Sequence, residues 1–123
     1  MLIPKDLYYT QNHLWLRKIG QYDFYIGLTD FGQSETGQIS LIEIVHEGNS
    51  VKKGKTWGKI FGANLIFDLV SPFDLKILGV NPELDEKISY LNSDPYSYWL
   101  AVVTIKQDNA ELLSDKEYKV FIK

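Results

Sequence analysis

Few residues in this chain could perform acid–base, nucleophilic or metal chemistry. It has two histidines, His13 and His46, and no cysteine, which excludes thiolate ligands, cysteine catalysis and disulfide bonds. A zinc site would need carboxylates such as Glu43 and Glu47, whose spacing does not suit one face of a strand followed by a turn. No serine is flanked by a motif that builds an oxyanion hole. The sequence therefore predicts no catalytic residue, no metal site and no enzyme activity.

The charge balance argues against nucleic-acid partners, and the lack of a long apolar run argues against a membrane. The 123 residues include 13 basic and 16 acidic side chains, a formal net charge of −3. The single arginine, Arg17, is too little for bidentate recognition of phosphate or guanine. The cluster of Lys52, Lys53 and Lys55 is typical of a solvated turn. No stretch approaches the ~18 apolar residues of a membrane span, and the first residues lack a signal peptide's long apolar run. We therefore expect a cytoplasmic protein.

An uncharged stretch stands out within the segment GKIFGANLIFDLVSP, residues 58–72. Two short apolar strands flank Ala63 and Asn64, as expected of a β-hairpin that turns there. Successive side chains of a strand face opposite ways, so a projecting ribbon cannot bury all of them. Either these side chains pack on the sheet, or they form an interface with a partner protein or a second copy of the chain. The candidate partner-binding residues are Phe61, Ala63, Asn64, Leu65, Ile66 and Phe67.

The pattern of elements that must position this hairpin predicts a mainly β protein. The length is typical of one domain, so we expect residues 1–123 to form a single domain. Alternating apolar stretches predict strands over residues 14–19, 24–29, 38–45, 57–61, 65–70, 74–80 and 98–106. Capping residues and a proline predict short helical segments over residues 30–37, 81–91 and 114–123. Many short strands with regular turns favour a small sandwich or barrel with a helix at its C-terminus.

Five segments of the chain follow one another in an order that is typical of a known family. They are YYTQNHLWLR, IGLTDFGQSETGQI, VKKGKTWGKI, DLVSPFDLKILGVNPEL and LNSDPYSYWL. Over about residues 8–122 the chain resembles the glycine cleavage system H proteins, members of the biotinyl/lipoyl-carrier group. The resemblance implies a flattened β-barrel or sandwich, called a barrel-sandwich hybrid, of two antiparallel sheets with short helices.

The resemblance also implies a carrier and not an enzyme. Such proteins hold lipoate on a lysine at a hairpin tip, which reads Glu-Ser-Val-Lys-Ala, and pass an aminomethyl group between enzymes of glycine cleavage. Counting back from Asp68 and Pro72 places Asn64 at the position of that lysine and Phe61 at that of the glutamate. An amide side chain cannot be acylated in this way, so we expect no lipoate at Asn64. Asparagine also tolerates the left-handed backbone of a tight turn, which favours a structural role there.

Two functions are therefore open. The first is a non-lipoylated binding or regulatory module, whose partner would be a glycine decarboxylase-like, aminomethyltransferase-like or lipoate-handling enzyme, or another copy of the chain. The second is a working lipoyl carrier in glycine cleavage, or in a related lipoate-dependent pathway, that is modified at an unusual lysine such as Lys59. No lysine lies between Lys59 and Lys76. Moving either to the tip would break the match at Gly58 and at Ser71–Pro72.

Overall fold

The protein was analysed as a computed structural model, which describes residues 1–105 and 112–123. In chain order its elements are β1 (Tyr8–Tyr9), β2 (Leu14–Lys18), β3 (Asp23–Leu28), α1 (Asp30–Thr36), β4 (Ile39–Ile44), β5 (Ser50–Val51), β6 (Thr56–Gly62), β7 (Ile66–Val70), β8 (Leu75–Val80), α2 (Tyr90–Ser93), β9 (Ala101–Ile105) and α3 (Asp115–Phe121). None of the helices in these two ranges has the length and apolar character needed to cross a membrane.

The strands form two antiparallel sheets. The larger has the order β1-β2-β3-β9-β8-β5, and the smaller has the order β4-β6-β7. Each sheet has two edge strands in the described part of the chain, so neither closes into a barrel. The prediction of a mainly β protein with two antiparallel sheets and short helices, one of them C-terminal, is confirmed.

The main apolar core draws side chains from both sheets. Leu16 and Ile26 of the larger sheet and Ile60 and Leu69 of the smaller one have no exposed surface and belong to one cluster. Burying a side chain of this size contributes about 1.5–3 kcal/mol. Successive side chains of β6 face opposite ways, so with Ile60 inside, its neighbours Lys59 and Phe61 face outward. The core therefore fixes which face of the smaller sheet remains available for binding.

A second cluster lies where α3 packs on the β1–β2 end of the larger sheet. Tyr118 of α3 is fully buried and stacks on Tyr9 with 4.7 Å between the ring centroids. The capping box predicted from Ser114 and Glu117 is present, with both reciprocal hydrogen bonds. Tyr118 thus docks the C-terminal helix on the sheet, and the capping box stabilises the first turn of that helix.

Two predictions of local structure differ from the fold. The segment 81–91 is mostly turns, and a helix is present only at α2. The side chain of Asn81 accepts from the N–H of Glu83, as an N-cap residue does, and donates to the carbonyl oxygen of Trp99 just before β9, but turns follow it instead of a regular helix. The strands β1 and β5 were not predicted, because two residues are too few to show alternation; β1 pairs with the next strand, β2, and β5 pairs with the distant β8.

Candidate functional site

The predicted hairpin forms from β6 and β7. These strands pair antiparallel, with Phe61 opposite Ile66. On the other side of β6 lies β4, with Leu41 opposite Phe61. Directly opposed residues share one face of a sheet. Leu41, Phe61 and Ile66 therefore form an apolar row across all three strands, called the hairpin row below.

The hairpin row lies outside both apolar cores. Leu41 is 48% exposed and Ile66 is 56% exposed. Phe61 is partly buried but belongs to neither core cluster. Leu65, in the loop that precedes β7, is 40% exposed. The outer face of the smaller sheet thus presents contiguous apolar side chains to water, which is the usual mark of a contact surface.

Phe67 does not share this face. It lies opposite Ile60, and its partly buried side chain packs against the main core. Of the residues that the sequence singled out as partner-binding, Phe67 therefore serves the core. Because Phe67 is directly opposite fully buried Ile60, the two side chains lie on the same face of the sheet, the one that faces the core.

A row of charged side chains runs beside the hairpin row on the same face. Glu43, Lys59 and Asp68 are aligned across the three strands, and all three are exposed. No ion pair within the described ranges joins them. Because Lys59 belongs to β6, it lies within a strand and not at the hairpin tip.

Asn64 lies in the exposed loop between β6 and β7, against the C-terminal end of α1. Its backbone N–H donates to the carbonyl oxygen of Thr36 at 3.0 Å, and its Nδ2 donates to that of Glu35 at 3.4 Å. Among the described non-glycine residues only His13 has a positive φ, so the left-handed backbone expected at Asn64 is wrong. The structural role of Asn64 comes instead from hydrogen bonds to α1.

The rest of the loop is also bonded to neighbouring backbone. The N–H of Ala63 donates to the carbonyl oxygen of Gln38 at 3.0 Å, and the N–H of Gly62 donates to that of Leu65 at 3.0 Å. Ala63 and Asn64 are both exposed. The loop is therefore accessible to a partner although its backbone is held.

His13 lies at the other end of α1, away from the loop. Its Nδ1 is 2.9 Å from the hydroxyl of Tyr118, which is 2.8 Å from Oγ1 of Thr29, the N-cap of α1. Burial lowers the pKa of His13, and the carboxylate of Glu35 partly opposes this shift. Burial raises the pKa of Tyr118 to about 12, so its hydroxyl stays protonated. These contacts are those of a structural histidine.

The described residues include no group of three or more histidine, aspartate and glutamate side chains that could hold a metal ion. His46 is exposed just after β4. The features described so far are an apolar surface and a loop whose backbone is hydrogen-bonded.

Sequence reasoning missed Leu41 as a member of the site. The alternation in β4 places Leu41 and Glu43 on the face opposite Ile42 and Ile44, a signal that is visible in the sequence. Only the register with β6, which includes an irregularity near Ser40, shows which side chain Leu41 meets.

Comparison with known proteins places the chain in a family. Residues 7–123 match the family model "Glycine cleavage H-protein". A "Glycine cleavage system H protein" of Clostridioides difficile is 36% identical over 121 residues, covering 96% of this chain and 95% of the relative. "Glycine cleavage system H protein 1" of Caldanaerobacter subterraneus subsp. tengcongensis is 36% identical over 125 residues, covering 99% and 98%. The crystal structure of a glycine cleavage system H protein from Mycobacterium marinum matches with a TM-score of 0.85 at 25% identity, covering 96% of this chain and 97% of that one. This chain belongs to the glycine cleavage H-protein family.

Proposed function

We propose that this chain is a non-lipoylated binding or regulatory module of the glycine cleavage system. The observation that carries the proposal is Asn64 at the hairpin tip, where attachment of lipoate would need a primary amine. The Asn64 side chain donates a hydrogen bond to the carbonyl oxygen of Glu35 in α1. In this arrangement the amide contacts the helix and does not extend outward as the attachment point of a cofactor arm would. The protein would then act by docking, without carrying an aminomethyl group and without being an enzyme.

The hairpin row and Leu65 supply the proposed docking surface. Removing apolar surface from water contributes about 25 cal/mol for each Å², before the entropic costs of association are subtracted, so covering these side chains favours binding. The partner classes are a glycine decarboxylase-like, an aminomethyltransferase-like or a lipoate-handling enzyme. Residues 1–123 would act as one domain in the cytoplasm.

Lys59 supports a second candidate function, a lipoyl carrier modified at an unusual position. Its side chain is exposed on the outer face of the smaller sheet, so an enzyme could reach the amine. It is placed on a paired strand between Glu43 and Asp68, which are directly opposite on the two neighbouring strands. A tether there would leave from the middle of a sheet and not from a tip.

Intact-mass measurement separates these two functions. The protein is produced in a lipoate-replete host, together with Asn64→Lys and Lys59→Arg variants. We expect the natural protein to be unmodified and Asn64→Lys to gain a lipoyl group, because the substitution supplies the missing amine. A lipoyl increment on the natural protein that disappears in Lys59→Arg would establish the carrier function and overturn the proposal.

Binding measurements test the docking role. The protein is titrated by calorimetry against purified glycine decarboxylase, aminomethyltransferase and lipoate ligase from the same organism. Ile66→Ser is expected to weaken binding by about tenfold or more, as for a central apolar contact. Leu78→Ser is the matched control, because Leu78 is 42% exposed but lies on the larger sheet. Absence of binding to all three enzymes would overturn the docking role.

A further inference from the structure

We infer that Asn64 is a positioning residue that fixes the hairpin loop to the C-terminal end of α1. The contact itself is independent of what the protein binds, whereas its consequence for binding rests on the proposed function. Below, the loop–helix contact means the hydrogen bonds from Ala63 and Asn64 to residues 35–38.

The chemistry of a helix end explains why an amide suits this position. The last carbonyl groups of a helix lack partners within the helix and carry the negative end of its dipole. Asn64 supplies two donors there, its backbone N–H to Thr36 and its Nδ2 to Glu35. The N–H of Ala63 adds a third bond, to Gln38 just beyond the helix. A carboxylate at position 64 would offer no side-chain donor and would add a negative charge.

Two glycines allow the loop and the helix to approach so closely. Gly37 has a φ of 79°, and a Cβ there would lie 2.9 Å from Cγ of Asn64. A Cβ on Gly62 would lie 2.2 Å from the carbonyl oxygen of Thr36. The Cβ on Gly62 would meet backbone of the helix and push the two segments apart, whereas the Cβ on Gly37 would displace the Asn64 side chain from the helix end. Gly37, Gly62 and Asn64 therefore act together as one contact.

The helix end is also held from its other side. Asn92 of α2 donates to the carbonyl oxygen of Gly37 at 2.9 Å and to Oε1 of Gln33 at 3.0 Å. Its own Oδ1 accepts from the N–H of Ile39 at 2.9 Å. The loop is thus attached to a junction that α1 and α2 already hold in place. A loop attached in this way presents its side chains at a defined position.

Leu65 and Ile66 directly follow the loop–helix contact and are exposed members of the proposed docking surface. A surface that is ordered before binding loses less conformational entropy when a partner covers it. The position that holds a tether in lipoylated relatives would here support an apolar surface. Asn64 would contribute to binding through the loop whose position it fixes.

Amide hydrogen exchange tests the loop–helix contact without any partner. We expect Asn64→Ala and Asn64→Asp to speed exchange at the amides of residues 63 and 64 by up to about tenfold, an upper bound because the side-chain bond that is lost is long, at 3.4 Å. Asn49→Ala is the matched control, because Asn49 is also exposed and its Nδ2 donates to a backbone carbonyl, that of His46, at 2.8 Å. It should leave the loop amides unchanged. Unchanged exchange in both Asn64 variants would overturn the inference.

Calorimetry with the glycine decarboxylase then separates positioning from contact. Asn64→Ala should weaken binding together with faster loop exchange, whereas Ile66→Ser should weaken binding with loop exchange unchanged. Faster exchange without any measurable binding would leave the loop–helix contact established and would count against the proposed function. Equal affinity of Asn64→Ala and the natural protein would overturn the role of Asn64 in binding.

Discussion

Replacing Gly62 by alanine is expected to separate the hairpin loop from α1. A Cβ at this position would lie 2.2 Å from the carbonyl oxygen of Thr36 and 2.4 Å from its Cγ2. Real Cβ atoms essentially never lie closer than 3.0 Å to such atoms, so the loop or the helix end must move. Gly62 does not have a positive φ, so the expected effect is steric and not conformational.

The magnitude follows from the hydrogen bonds that this movement lengthens. The N–H of Asn64 is 3.0 Å from the carbonyl oxygen of Thr36, and the N–H of Ala63 is 3.0 Å from that of Gln38. A shift of nearly 1 Å takes both beyond hydrogen-bonding distance. Each bond contributes about 0.5–1.5 kcal/mol net, so we expect the free energy of unfolding to fall by about 1–3 kcal/mol.

Urea unfolding followed by tryptophan fluorescence measures this change. Gly79→Ala is the matched control, because Gly79 also lies in a strand but nothing is within 4 Å of its added Cβ. The control should remain within about 0.5 kcal/mol of the natural protein. If Gly62→Ala were as stable as Gly79→Ala, the close packing of loop and helix would be refuted.

Three further outcomes are expected. The free energy of unfolding should fall as the pH drops below 6.5, because burial lowers the pKa of His13 from that value and the unfolded chain takes up the proton first. Urea titrations at several pH values should show a weaker pH dependence of this free energy in His13→Asn. An equal pH dependence in the variant and the natural protein would contradict this. Tyr118→Phe should reduce the free energy of unfolding by about 1–3 kcal/mol, because the variant loses the hydroxyl contacts with His13 and Thr29. A urea midpoint equal to that of the natural protein would contradict this prediction. Ser114→Ala should lower the free energy of unfolding by about 0.5–2 kcal/mol through loss of the α3 cap. Ser97→Ala is the control, because Ser97 is also exposed, and it should cause no such loss. Equal thermal midpoints of the two variants would argue against the cap.

Much of the fold could be predicted because its signals are local. The hairpin at β6 and β7 follows from alternating apolar residues around a turn, and the cap of α3 follows from Ser114 and Glu117. The hydrogen bond from Asn81 to the carbonyl oxygen of Trp99 could not be predicted, because it depends on how distant segments meet. The same holds for β5, which exists only through its pairing with the distant β8, whereas β1 pairs with the next strand and is simply too short to show a pattern.

The sequence by itself determined which chemistry the tip can offer, because an amide at position 64 is a property of one side chain and needs no fold. Only the tertiary structure decided that this amide lies against α1, that Leu41 joins Phe61 and Ile66, and that Phe67 faces inward. Strand register and helix-end contacts join residues that are remote in the chain. Local patterns carry the alternation of each strand but not the partner against which it is aligned.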